Sequence, residues 1–161
     1  MAGNDTEGSA LRLDGLLTPW AGSSTRYRIA TEHEGSQLTV AVPCRVVGLP
    51  FEIQALLDTG AAWSIIGGDL ADLLVANLGP TGQTMILATR LGRIRGVLHE
   101  MDVTLVAERG DDLVVSASIL VAPGWMGPVV LGYQGFLERI RFALDPGVSA
   151  EAAWFFFGGV A

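Results

Sequence analysis

The 161-residue chain lacks most of the side chains on which metal, thiol and amine chemistry depends. Cys44 is the only cysteine, so neither an internal disulfide nor a cysteine-based zinc cluster can form. All ten basic residues are arginine, and the absence of lysine excludes Schiff-base and P-loop chemistry. The two histidines, His33 and His99, form no paired zinc motif. We therefore expect no metal and no cofactor, and carboxylates and hydroxyls are left as the reactive groups.

Positive charge is also scarce. Acidic side chains outnumber basic ones 17 to 10, and the formal net charge is −7. This balance argues against binding to nucleic acid or to an anionic membrane. Hydrophobic residues make up 50% of the chain and charged residues only 17%, which excludes disorder for most of it. The length is that of one domain with a core of its own.

One uncharged stretch, residues 113–137, has about the length of a membrane span. Ser116 and Ser118 alternate with apolar neighbours there, and Pro123 and Gly124 begin a break in the middle. This pattern predicts a strand, a turn and a second strand. The first ten residues have neither the basic nor the apolar part of a signal peptide. We expect a cytoplasmic protein without a membrane partner.

Short strands separated by turns dominate the sequence. Residues 1–24 are rich in Gly, Ser, Thr and Asp and are predicted to form a flexible N-terminal arm, followed by one domain over residues 25–161. We expect an all-β domain, closed and strongly curved like a barrel, with one or two short helices. The helices are predicted over residues 69–75, with Asp69 as N-cap, and 133–139. Strands are predicted over residues 26–30, 37–47, 51–57, 64–66, 83–89, 97–107, 113–121, 129–131, 140–144 and 153–157.

The segment most informative about chemistry is Ala55-Leu56-Leu57-Asp58-Thr59-Gly60-Ala61. Its apolar residues predict a buried strand that ends in a turn, where Gly60 permits an unusual backbone conformation. The Thr59 hydroxyl and the Gly60 amide are then able to orient the Asp58 carboxylate. A simpler interpretation stays open, in which Asp58 is an ordinary turn residue after a core strand.

This segment resembles the active-site signature of the retropepsin-like, single-domain aspartic proteases, which reads apolar-apolar-Asp-Thr/Ser-Gly-Ala. The family has a second signature, two apolar residues and a glycine that open a short helix, and Val130-Leu131-Gly132 is similar to it. The resemblance spans about residues 37–145. It implies that Asp58 is catalytic and that the active-site loop is supported by Thr59, Gly60, Ala61, Leu131 and Gly132.

The resemblance also implies a β-hairpin flap over the substrate cleft, here at residues 90–96. Arg93 and Arg95 make this segment more polar than retroviral flaps. Either they are solvated, or they favour acidic residues in the substrate. Trp63 stands where the family has a small or polar residue, and it is expected to narrow the rim of the cleft. The flap residues predicted to contact an extended peptide are Leu91, Gly92, Arg93 and Ile94.

Hydrolysis of a peptide by water without a covalent intermediate needs both a base and an acid, and two carboxyls that share one proton supply both. The chain has one Asp-Thr-Gly, so the second carboxyl has to come from a second chain. The prediction is a two-fold symmetric homodimer that acts as an aspartic endopeptidase on peptides or proteins. Two alternatives stay open: a retropepsin-fold module that dimerises or binds peptides without cleaving them, and an unrelated β-barrel that binds a small ligand.

The aromatic segment Trp154-Phe155-Phe156-Phe157 lies close to the end of the sequence. Three interpretations are open for it. It is a strand packed on its own domain, a dimer interface, or a cleavage site for a protease that prefers bulky apolar residues.

Overall fold

The computed structural model describes residues 10–12, 19–31, 38–79, 82–89, 92–149 and 152–160. Most of these residues lie in strands and a single α-helix accompanies them, which confirms the prediction of a mainly β protein. The elements are β1 (Ser23–Arg26), β2 (Arg28–Thr31), β3 (Leu38–Val46), β4 (Glu52–Leu57), β5 (Ser64–Gly67), α1 (Gly68–Leu78), β6 (Gln83–Thr89), β7 (Gly92–Leu105), β8 (Leu113–Ala122), β9 (Val130–Leu131), a 3₁₀ turn (Leu137–Arg139), β10 (Ile140–Asp145) and β11 (Trp154–Gly159).

The strands form two sheets. The small sheet has the order β1-β11-β10, and the large sheet has the order β2-β3-β4-β9-β5-β8-β7-β6. The large sheet curves strongly, because β3 also pairs with β7 where residues 44–46 meet residues 103–105. The sheets are nevertheless not closed into a true barrel, since β2 and β6 remain outside this pairing as edges. The prediction of a closed barrel is therefore wrong.

The main core gathers apolar side chains from both sheets and from α1. β11 contributes Phe155 and Phe157, which are fully buried, while Trp154 and Phe156 on its other face are half-buried. Each buried phenylalanine stabilises the fold by about 1.5–3 kcal/mol. β11 pairs with β1 on one side and with β10 on the other. The aromatic segment is thus a strand packed on its own domain, the first of the three interpretations.

Residues 19–24, assigned to the flexible arm on sequence, lie against this small sheet. Ala21 and Ser24 are fully buried, and Leu11 forms a bridge with Ala21. β1 begins at Ser23, two residues before the predicted start of the domain. Residues 1–9 and 13–18 of the arm lie outside the described residues.

The uncharged stretch over residues 113–137 is not one continuous element. β8 ends at Ala122, a turn follows, and β9 occupies only residues 130–131. The predicted strand, turn and strand are confirmed. In the described part of the chain, no helix is both long and apolar enough to cross a membrane.

The helices differ from their predictions. α1 is longer than predicted, and its N-cap is Gly67, so the prediction of Asp69 as N-cap is wrong. Asp69 instead lies in the first turn, where its negative charge interacts favourably with the positive end of the helix dipole. A side chain at residue 67 would lie 2.0 Å from the carbonyl oxygen of Trp125, so only glycine fits there.

The helix predicted over residues 133–139 is reduced to the 3₁₀ turn. Gly135 has a φ of +76°, and its carbonyl accepts a hydrogen bond from the Ser118 amide (3.1 Å). Because the left-handed conformation interrupts the helical path and the carbonyl bonds to β8, a continuous helix cannot form.

A polar network attaches this turn to the large sheet. Arg139 donates hydrogen bonds to Oε2 of Glu100 (3.2 Å), to Oγ of Ser118 (3.0 Å) and to the carbonyl of Ser116. The Ser118 hydroxyl donates to Glu100. This hydrogen bond lowers the pKa of Glu100 below its ordinary value, partial burial opposes it, and Arg139 adds to the lowering. The network thus holds the chain in place between β9 and β10.

We expect Glu100→Gln to lower the free energy of unfolding at neutral pH and to weaken its dependence on acid. The folded protein lowers this pKa, so the stabilisation is present above the ordinary value of about 4.3 and is lost as the pH falls through the lower, folded value. Urea unfolding over a series of pH values from about 7 to about 3 measures the effect. Asp102→Asn, at an exposed carboxylate of β7, is the control. A Glu100→Gln profile parallel to that of the wild type contradicts the network's role.

Candidate active site

Asp58 follows directly after β4. Along β4 the exposed Glu52 and Gln54 alternate with more buried residues, and Ala55 is fully buried in the core. Such alternation is typical of a strand with one face on the core. The strand therefore carries Asp58 from the core to the surface, where its side chain is exposed.

The Asp58 carboxylate is oriented by the turn that follows it. Oδ1 accepts hydrogen bonds from the amides of Gly60 (2.8 Å) and Ala61 (3.2 Å). Within the described residues no hydrogen bond is made to Oδ2, nor by the hydroxyl of Thr59, which is also exposed. The backbone of the loop, and not Thr59, therefore orients the carboxylate in a single chain.

Gly60 serves this turn in a different way from the one predicted. It is not among the glycines with positive φ, so no unusual backbone conformation is required. A Cβ at this position would lie 3.2 Å from Oδ1 of Asp58. Glycine therefore keeps space open beside the carboxylate, and this close approach is its role in the turn.

β9 lies between β4 and β5 and supports the Asp58 loop from the interior. It runs parallel to β4, with Leu57 opposite Leu131, and antiparallel to β5. The amide of Asp58 donates to the carbonyl of Leu131 (3.1 Å). Leu131 is almost fully buried. The structure thus brings together the two segments, 73 residues apart in sequence, on which the family resemblance depends.

Gly132 is a position of close contact between these segments. A Cβ there would lie 2.5 Å from the carbonyl carbon and oxygen of Trp63 and 2.9 Å from the carbonyl oxygen of Ala61. The next two amides, of Tyr133 and Gln134, donate to the carbonyls of Ala61 (2.9 Å) and Ala62 (2.8 Å). The loop after Asp58 is therefore bonded along its length to the segment that follows β9.

Ser64 belongs to this arrangement and was not singled out from the sequence. Its side chain is fully buried, and its Oγ accepts a hydrogen bond from the amide of Gly132 (3.0 Å). Burying a hydroxyl costs free energy unless it is hydrogen bonded, and this bond offsets that cost. The signal in the sequence was a serine directly before the apolar residues of β5, but its partner is 68 residues away.

The hairpin formed by β6 and β7 contacts the same part of the molecule. A second apolar cluster, which we call the site cluster, consists of Ile65, Leu120, Ala122 and Val130. Ala61 of the Asp58 loop packs against it, as do residues of the hairpin. These hairpin residues are Met85, Leu87, Ile94 and Leu98. The site cluster thus joins the hairpin to the loop that carries Asp58.

The predicted flap residues have different surroundings. β7 begins at Gly92, five residues earlier than predicted, so the hairpin is longer than the segment assigned to the flap. Ile94 is half-buried on the site cluster, whereas Gly92 and Arg93 are exposed, and so is Arg95. Leu91 lies outside the described residues. Only Ile94 of the four is therefore seen in contact with the site cluster.

Trp63 is half-buried and forms a bridge with Gln134. It lies where the end of the Asp58 loop meets the chain segment that follows β9. A narrowing of the cleft rim by its ring stays a prediction.

Asp58 does not line either of two clefts on the described surface. Their volumes are about 330 and 490 Å³, and they are lined by residues of β1, β2, β3, β4 and β11 and of the connecting segments, Tyr27, Val106, Glu108 and Arg109. Nor does any group of three or more His, Cys, Asp and Glu side chains with the spacing of a metal site occur among the described residues. The site therefore consists of a loop, its supporting strand and the hairpin, open to solvent in a single chain.

Burial excludes the one thiol from this chemistry. Cys44 is fully buried on β3, and desolvation, with a smaller contribution from Glu52, raises its pKa to about 12. A thiol with that pKa stays protonated and is not a nucleophile at neutral pH.

Compared with known proteins, the chain matches no protein-family model and no curated protein sequence.

We expect Gly132→Ala to lower the free energy of unfolding by about 1–3 kcal/mol, because the added methyl meets backbone atoms that cannot rotate away. Gly124→Ala is the matched control, since no atom lies within 4 Å of a Cβ at residue 124. Chemical denaturation of both variants measures the difference. Equal stability of the two variants would show that β9 and the Asp58 loop are not in the contact described.

Proposed function

We propose that the chain is a retropepsin-like aspartic endopeptidase, with its catalytic domain in residues 25–161, and that it hydrolyses peptide bonds as a homodimer. The observation that carries this proposal is the exposed Asp58 carboxylate on a loop bonded to β9. One carboxylate oxygen is held by two backbone amides, and the other is free of hydrogen bonds within the described residues. An ordinary turn aspartate needs no such support from a distant strand.

The second carboxylate comes from a second copy. No other Asp or Glu in the described residues is hydrogen bonded to Asp58. The exposure of Asp58, Thr59 and Gly60 leaves the loop accessible to a partner, and the partner supplies the opposite wall of a groove. Two carboxylates held a few Å apart cannot both ionise, so they share one proton.

In the proposed reaction a water molecule lies between the two Asp58 side chains. The ionised carboxylate takes a proton from the water, and the protonated one donates its proton to the oxygen of the peptide carbonyl. The water oxygen bonds to the carbonyl carbon. When the C–N bond breaks, the carboxyl that gained a proton gives it to the nitrogen, and its neighbour takes one from a hydroxyl of the intermediate. The pair again shares one proton.

The substrate is an extended peptide between the hairpin and the Asp58 loop. The hairpin's backbone pairs with it as an added strand. The site cluster offers half-buried apolar side chains on this side of the sheet, Met85, Leu87 and Ile94 among them. Bulky apolar side chains on both sides of the scissile bond fit this surface, because they remove more apolar area from water.

We expect Asp58→Asn to abolish peptide cleavage, with a loss of roughly 10²- to 10⁴-fold or more, while the fold is kept. The asparagine oxygen still accepts the amides of Gly60 and Ala61, but an amide cannot act as the base. The measurement is incubation of wild type and variant with a diverse peptide library at several acid pH values, with and without pepstatin. Asp72→Asn, at an exposed carboxylate of α1, is the control that keeps activity.

Cleavage that disappears in Asp58→Asn and with pepstatin supports the enzyme. Cleavage that persists in Asp58→Asn contradicts the assignment of Asp58. Binding of peptides without cleavage at any pH supports the alternative, a dimerisation or peptide-binding module without proteolytic activity. A strictly monomeric protein at high concentration contradicts both.

A further inference from the structure

β10 has an open edge. In the small sheet β11 is paired on both sides, and the outer side of β1 is bridged between Ser24 and Arg109. Among the described residues no strand pairs with the other side of β10. Every second residue of such an edge turns its amide and carbonyl outward, where they are ready to pair with another strand.

The side chains of β10 are complementary to those of a second, antiparallel copy. When Ala143 lies opposite the partner's Ala143, Arg141 lies opposite the partner's Asp145. In the same register Phe142 lies opposite the partner's Leu144. If the two-fold axis passed through Phe142 or Leu144 instead, Arg141 would no longer lie opposite the partner's Asp145. Opposite charges and apolar pairs directly across two strands stabilise their association.

Burial along β10 also indicates a missing neighbour. Ile140, Phe142 and Leu144 point to the core side of the small sheet. The burial of these side chains decreases along the strand, and Leu144 is 45% exposed. On the other face Arg141 is half-buried and Asp145 is exposed. Within the described residues Arg141 forms no ion pair, and Asp145 only accepts the amide of Gly147 (2.9 Å). A second β10 on this edge would cover Leu144 and pair both charges.

The position of β10 is linked to that of the Asp58 loop. β10 follows the segment that bonds to this loop, and the amide of Leu137 donates to the carbonyl of Gly132 (3.1 Å). Arg139, the residue before β10, is held by the network with Glu100 and Ser118. Pairing of two β10 strands therefore fixes the positions of the two Asp58 loops relative to each other.

We propose that two copies of this chain associate through β10, antiparallel and centred on Ala143, into one continuous six-stranded sheet. The inference deepens the proposed function, because it names the surface through which the second Asp58 is supplied. The aromatic strand β11 does not pair across the dimer, since both of its edges are occupied within the chain.

The test uses two charge reversals, Arg141→Asp and Asp145→Arg, each alone, mixed together, and combined in one chain. By the two-fold symmetry each single variant places like charges opposite each other twice, so we expect its dimer dissociation constant to rise about 10- to 100-fold. One variant then carries two acidic side chains on this strand and the other two basic ones. Their mixture forms a heterodimer with both pairs restored, and the double variant forms a homodimer.

Sedimentation velocity over a range of concentrations measures these constants, and Asp72→Arg, a reversal on the exposed face of α1, is the control. Folding of each single variant is checked by its unfolding transition. Weak self-association of the single variants together with a dimer in their mixture and in the double variant supports the proposal. Folded single variants that dimerise like the wild type, or that fail to dimerise when mixed, overturn it.

Peptide cleavage separates this inference from the proposed function. If the dimer responds to the charge reversals as expected but no peptide is cleaved at any pH, the β10 pairing stands and the endopeptidase assignment fails. If cleavage depends on Asp58 while the dimer ignores the charge reversals, the endopeptidase stands and the β10 pairing fails.

Discussion

The insertion of β9 between β4 and β5 is the contact on which the rest of the candidate site depends. Val130 pairs with β4 and with β5, Leu131 pairs with β4, and the amide of Asp58 is bonded to the carbonyl of Leu131. This arrangement is stable only with a glycine directly afterwards, because the backbone at Trp63 leaves no room for a side chain at Gly132. A loop held in this way presents a carboxylate in one orientation without burying it.

Asp58 is exposed, one of its carboxylate oxygens is bonded to two backbone amides, and its loop is bonded to a distant strand. Glu100 is also held by hydrogen bonds, but its partners are the side chains of Ser118 and Arg139, and these bonds attach a turn to the sheet. Within the described residues the Asp58 carboxylate is bonded only to backbone amides of its own loop. A carboxylate oriented by backbone alone keeps its outer oxygen for another molecule, which is the property a shared-proton pair requires.

Strand β6 is an element that the local sequence pattern predicted correctly. β6 occupies residues 83–89 as predicted, where the sequence places four successive apolar residues, 85–88, between glycine-containing segments. The helix over residues 133–139 failed, because the sequence shows a glycine at residue 135 but not that its carbonyl bonds to β8. Asp69 failed as N-cap for a similar reason. The contact with the distant backbone of Trp125 requires glycine at residue 67, and this glycine is the N-cap of the helix that begins at Gly68.

The sequence by itself determined the available chemistry: no lysine, a single cysteine and a single Asp-Thr-Gly. It also determined that the chain is mainly β. Only the tertiary structure decided which distant residues meet, such as Ser64 with Gly132, and Ala61 with the hairpin on the site cluster. It alone decided that β11 is central and β10 an edge. The physical reason is that sheet partners are chosen by hydrogen bonding and packing between segments far apart in the chain, which no local pattern records.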